Sequence, residues 1–153
     1  MLFKAISRYI ASVPALAQFA ISHQDFEVLR DILTVLNVAH RTQELLSSDK
    51  TPTLAYAFPL YDVLIKRWRK LQDAMPALSY AVGGGIAKLE EYLDKAKSSP
   101  AYVLAMALNP SIRYSWIEQN WSIDDAARAR ELVKKHVSLY IHSTNTLFNH
   151  NLF

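Results

Sequence analysis

The sequence predicts an all-α protein, an irregular domain of about five to seven helices spanning residues 1–153 as a single unit. Three observations carry this. Hydrophobic residues make up 51% of the chain against only three glycines, which favours helices over a loop-rich β protein. Apolar residues recur at three- and four-residue steps along most of the length. No stretch shows sustained alternation of apolar and polar residues, the mark of a half-buried strand. With 153 residues and 20% charged side chains, the chain is long enough to bury a core and too apolar to remain disordered.

The elements follow in order. Residues 1–22 read as a helix packing on the domain, with Pro14 kinking it or starting one half. Lys4, Arg8, Pro14 and Gln18 interrupt any signal-peptide core, and the apolar run is far short of a membrane span. The abrupt start fits a truncated chain as well as a true beginning. Ser22 with Asp25 forms a capping-box variant that opens a helix near Gln24. Phe26, Leu29, Ile32, Leu33, Leu36 and Leu46 form its predicted inward stripe. Thr51-Pro52 signals the next start. Pro59 predicts an early break, followed by a second piece with Tyr61, Leu64, Ile65, Trp68 and Leu71 on one face. Pro76 begins a helix containing Gly83-Gly84-Gly85, where either the helix is interrupted or a neighbour comes close. Ile86, Leu89 and Leu93 continue its inner stripe.

Pro100 to Leu108 reads as a short apolar helix stopped by Asn109-Pro110, because the residue before proline avoids helical torsions. Ser111 to Asn120 supplies another turn or two, with Tyr114, Trp116 and Trp121 assigned to packing. Ser122 caps a last long helix, with Asp124 and Asp125 at its positive end and Ala126, Ala129, Val133, Val137 and Tyr140 on its inner face. The tail from Ser143 is expected to fray.

Candidate chemistry is sparse. Absence of cysteine excludes disulfides and thiolate metal sites and favours an intracellular setting. The five histidines, His23, His40, His136, His142 and His150, form no metal-ligand spacing, and His40 is expected to be packed with one nitrogen satisfied. The glycine triplet lacks the spacing and the preceding strand of a phosphate loop, although Lys88 follows it. Adjacent carboxylates at Glu90-Glu91 and Asp124-Asp125 diverge by about 100° on a helix and cannot converge on one atom. No catalytic residue, metal ligand, cofactor or small-molecule substrate is assigned. Lys66, Arg67, Arg69 and Lys70 around Trp68 are the candidate nucleic-acid contact, set against a solvated helix face with Trp68 turned inward. A weaker basic group is Arg128, Arg130, Lys134 and Lys135. Net charge is +3, and its distribution is even: five basic against five acidic residues in 1–50, seven against five in 51–100, five against four in 101–153. That argues against a dedicated nucleic-acid arm.

Two pieces, QELLSSDKTPTLAYAFPLYDVLIKRW and GIAKLEEYLDKAKSSPAYVLAMALNPSIRYSWIEQNW, resemble in this order the hAT superfamily of cut-and-paste DNA transposases, in particular fungal members. Leu46-Ser47 and Pro52-Thr53-Leu54 match one pattern of the family, and Lys88, Leu89 and Tyr92 another. Ala105, Leu108, Pro110, Trp116 and Trp121 match a third, with Asn109 where the family commonly has Asp. The resemblance covers about residues 20–140. It implies the later part of a helical insertion in a ribonuclease-H-like core whose metal-binding acids lie outside this chain. It therefore implies an inert fragment or domesticated remnant, nuclear, with weak DNA contact. The alternative expectation is a helical interaction module that associates with transposase-like proteins or with itself, without a membrane.

Overall fold

Seven α-helices and three short 3₁₀ turns succeed one another in the computed structural model, which describes residues 2–47 and 53–150. The helices are α1 (Leu2–Ser12), α2 (His23–Leu46), α3 (Ala57–Ala74), α4 (Ser79–Ala96), α5 (Pro100–Leu108), α6 (Arg113–Asn120) and α7 (Ile123–His150). The 3₁₀ turns, Pro14–Phe19, Leu54–Tyr56 and Pro76–Leu78, lead into or separate them. The described residues contain no strand, as the all-α expectation requires. The Thr51-Pro52 start signal and the His150 side chain lie outside the described residues.

Local chemistry sets most boundaries. The Ser22 hydroxyl accepts from the Asp25 amide at 3.1 Å while the Asp25 carboxylate accepts from the Ser22 amide at 3.0 Å, a complete capping box at the start of α2. The Ser22 hydroxyl also donates to the Asp25 carboxylate at 2.7 Å, and this bond first, then the one from the Ser22 amide, holds the Asp25 carboxyl below its usual range. Ser122 caps α7 by accepting from the Asp125 amide at 3.1 Å. Asn109 is extended, φ −76° and ψ 118°, and ends α5 ahead of Pro110. Its side chain accepts from the Ser111 amide, and Arg113 then enters α6 with φ 56°, in the left-handed region.

Some expectations about the elements are decided between their alternatives and others need correction. Pro59 does not break its helix. It occupies the third position of α3, where an amide would have no intrahelical acceptor, so its missing N–H costs nothing. The glycine triplet does not interrupt α4, which runs straight through it; close approach is the operative half of that reading. At the amino end α1 stops before Pro14, which begins its own turn, and α1 finds its principal contacts on that turn instead of on the domain. At the carboxyl end α7 continues as helix to His150 instead of fraying at Ser143, and Val137 and Tyr140, assigned to its inner face, are exposed.

Two apolar clusters form the core. One comprises Phe58, Val103, Met106, Ile117 and Ala129, walled by Tyr102, Tyr114, Trp116 and Trp121. Val103, Met106 and Ile117 are fully buried, and Phe58 meets Tyr102 and Trp121 edge-on at 5.7 and 4.9 Å between centroids. This confirms Trp116 and Trp121 as packing residues. The second cluster comprises Ile65, Val82 and Ile86, with Val35, Trp68, Leu78 and Leu89 against it. Leu93 touches both, so α4 joins the two halves.

Candidate functional site

The basic cluster on α3 divides into an inner and an outer part. Tyr61, Leu64, Ile65, Trp68 and Leu71 face the core as their spacing predicts, which forces Lys66, Arg67, Arg69 and Lys70 outward. Trp68 turns inward and its Nε1 donates to the Val35 carbonyl at 3.0 Å, fastening α3 to α2. Two of the four cations are neutralised. Lys66 Nζ donates to Asp62 one turn back at 2.7 Å, and the Arg69 guanidinium pairs with Glu90 on α4. Arg67 and Lys70, one turn apart, carry no carboxylate partner among the described residues. On α7 Arg128 pairs with Asp125, Arg130 with Glu118, and Lys134 with Glu131, so that weaker basic group is also largely compensated.

The acidic pairs diverge as expected. Glu91 accepts from Lys88 at 2.7 Å and Lys95 at 2.6 Å, and these bonds, Lys88 first, hold its carboxyl below the ordinary range. Asp125 does more than complement the helix dipole. Its carboxylate accepts from Lys97 at 2.9 Å and from Arg128, closing the end of α4 onto the start of α7. The bond from Lys97 is the main cause that lowers the Asp125 carboxyl. For Lys97 itself burial acts first and pulls downward, but hydrogen bonds to Asp125 and Asp94 outweigh it and the ammonium is held above its usual value. Every charge here has its counter-charge in place, the arrangement of a structural clasp.

His40 is exposed, 3.6 Å from Glu44, instead of packed as expected, because the packed face of α2 lies elsewhere. His136 Nδ1 bonds the Leu132 carbonyl at 2.9 Å. Among the described residues no group of three His, Cys, Asp or Glu side chains is placed to hold a metal ion, and no helix is long and apolar enough to cross a membrane.

The feature that sequence reasoning misplaced is the apolar stripe of α2. Its packed side is Val35, Val38, Ala39, Thr42 and Leu46, drawn toward α3 by the Trp68 bond. Leu29, Leu33 and Leu36, assigned inward by spacing, are 49%, 56% and 57% exposed, and Val28 and Ile32 are more than a third exposed. Beside them runs a groove of about 220 Å³ with almost no polar lining, formed by Ile32, Val35 and Leu36 with Trp68, Leu78 and Val82. The signal was present in the sequence as an apolar arc too wide for one neighbour to cover. No family model, curated protein or solved structure matches the chain.

Proposed function

We propose that the chain is a catalytically inert helical module that works by docking another protein on the outward face of α2. One observation carries this: a run of large aliphatic side chains from Val28 to Leu36 stays open to solvent on a helix whose other side is packed. Contiguous apolar side chains left open on a folded domain, beyond the scattered ones every surface carries, point to an interaction surface. The resemblance to hAT sequences makes a transposase-like protein, or a second copy of this chain, the partner class. Light scattering combined with an apolar fluorescent dye tests it. The patch must show either as association or as dye binding, and a folded chain that stays monomeric and leaves the dye dark overturns the reading.

A second reading is weak DNA contact through the α3 cations, as a remnant of a transposase. It is favoured by Arg67 and Lys70, which project without a carboxylate partner among the described residues. Two phosphate contacts would give a slope of about −2 in the logarithm of affinity against that of salt. A polarisation titration at low salt checks this. Undetectable binding, or binding unchanged when Arg67 and Lys70 become Ala, overturns it.

A further inference from the structure

We infer that the occupant of the α2 face is α2 of a second copy, packed antiparallel about a twofold axis between Ile32 and Leu33. This rests on the docking reading above and commits it to one partner. The argument is the order of side chains along the stripe. At 100° per residue, Asp25, Leu29, Ile32, Leu33, Leu36 and His40 fall within one arc of α2 about 100° wide, which borders the Val35, Val38 and Thr42 side at Ile32 and Leu36, where the groove runs. The stripe is close to palindromic in chemistry. Turned end for end about its middle, Leu29 meets Leu36, Ile32 meets Leu33, and Asp25 meets His40.

A twofold interface requires the same patch to complement itself, so that if one residue meets another, the reverse contact follows. Here aliphatic side chains oppose aliphatic ones through the centre, and a carboxylate opposes an imidazole at both ends. The parallel arrangement would place Asp25 against Asp25 and His40 against His40, and would align the two helix dipoles instead of opposing them. Asp25 already accepts bonds from Ser22, both through the same carboxylate oxygen, Oδ2. His40 has its exposed imidazole within 3.6 Å of Glu44 on its own helix, so an incoming carboxylate competes there with a contact open to water. The centre supplies the affinity and the ends set the direction. The groove edge at Leu78 and Trp68 lies alongside Leu36, where it flanks the incoming helix.

The experiment uses the whole chain, whose lack of cysteine makes introduced thiols unambiguous. Sedimentation equilibrium over a concentration series is expected to give a dimer. Leu33→Glu, at a position already more than half exposed and so harmless to folding, is expected to weaken it by at least about tenfold, the effect of losing one buried leucine. Under mild oxidation Leu33→Cys is expected to cross-link with itself across the twofold. Leu29→Cys and Leu36→Cys are expected to cross-link when mixed but not alone. A monomer at every concentration, a dimer indifferent to Leu33→Glu, or self-linking of Leu29→Cys overturns the pairing. A monomer that binds the apolar dye in a manner abolished by Leu33→Glu leaves the docking reading standing while the self-pairing falls. A monomer with the dye dark removes both.

Discussion

The three consecutive glycines of α4 have different surroundings, and a contrast of two substitutions tests how α3 and α4 pack. A Cβ built on Gly84 meets nothing within 4 Å, whereas one built on Gly85 lies 3.0 Å from Cζ3 and 3.5 Å from Cη2 of Trp68. Each change to alanine gains about 0.8–1 kcal/mol of helix propensity. At Gly84 that gain is realised in full, and for a chain of this length it corresponds to a rise of about 2–4 °C in Tm. At Gly85 it is opposed by overpacking, about 1–3 kcal/mol. The indole cannot retreat cheaply, because Nε1 is bonded to the Val35 carbonyl and the ring packs on the Ile65, Val82 and Ile86 cluster. The expected net effect is a loss of about 1 kcal/mol. Urea and thermal unfolding followed by circular dichroism measure both. If Gly85→Ala is as stabilising as Gly84→Ala, Trp68 does not stand against α4. If Gly84→Ala destabilises, α4 is not continuous helix through the triplet. A third arm adds Trp68→Phe: the smaller ring removes the clash, so Gly85→Ala is expected to become favourable in that background, a coupling between neighbours.

Other substitutions probe the clasp and the helix junctions. Asp125→Asn, which keeps shape and removes charge, is expected to cost about 1.5–3 kcal/mol at neutral pH through the weakened bonds from Lys97 and Arg128. Since the folded Asp125 carboxyl lies below its unfolded value, its contribution is present above about pH 4 and is lost as pH falls through the folded value. The wild-type advantage over Asp125→Asn in urea should therefore be flat near neutrality and shrink as pH falls below about 4; an advantage that grows in acid refutes the assignment. Lys97 adds the opposite limit: held above its usual value, it contributes up to about pH 10.4 and the contribution is lost as pH rises further through the folded value. Trp68→Phe alone removes the donor to the Val35 carbonyl and is expected to cost about 1–3 kcal/mol, with amide exchange accelerated in α2 first; uniform acceleration would count against α2 being held mainly by this bond. Arg113→Gly should stabilise the chain by up to about 1 kcal/mol by relieving the left-handed torsion, read as a rise in the urea midpoint.

Where the determinant of structure is a few neighbouring residues, it was legible. Ser22 with Asp25, Ser122, and Asn109-Pro110 act through bonds and torsions confined to one turn, and each marks the boundary read from it. Pro59 was misread because its effect depends on where the helix begins. The same ring that breaks a helix interior is harmless in a first turn, and the 3₁₀ lead-in Leu54–Tyr56 places it there. On α7 the predicted inner face is packed through Val133 while Val137 and Tyr140 are exposed, since periodicity does not say how far along a helix the core extends. His40 follows from the same cause on α2. Spacing says which residues share a side and is silent on which side a neighbour will take.

That silence also explains why the basic cluster and the aliphatic stripe exchange importance. Read along the chain, four cations around a tryptophan look like a surface built for phosphate, and leucines at helical spacing look like core. In space, Glu90 arrives from α4 to neutralise Arg69, Asp62 holds Lys66, and Trp68 is a structural pin. The pin then decides the fate of α2. By bonding the Val35 carbonyl it rotates the Val35, Val38 and Thr42 side inward, and Leu29, Leu33 and Leu36 are left facing water as a consequence. One long-range hydrogen bond thus weakens the case for a nucleic-acid surface on α3 and creates the case for a protein surface on α2. The two surfaces are therefore separable. Loosening α2 through Trp68→Phe, with Lys66, Arg67, Arg69 and Lys70 untouched, should impair association through the leucine stripe while leaving any low-salt DNA contact as it was. A change that instead weakened DNA contact and spared association would show that the function follows the cations.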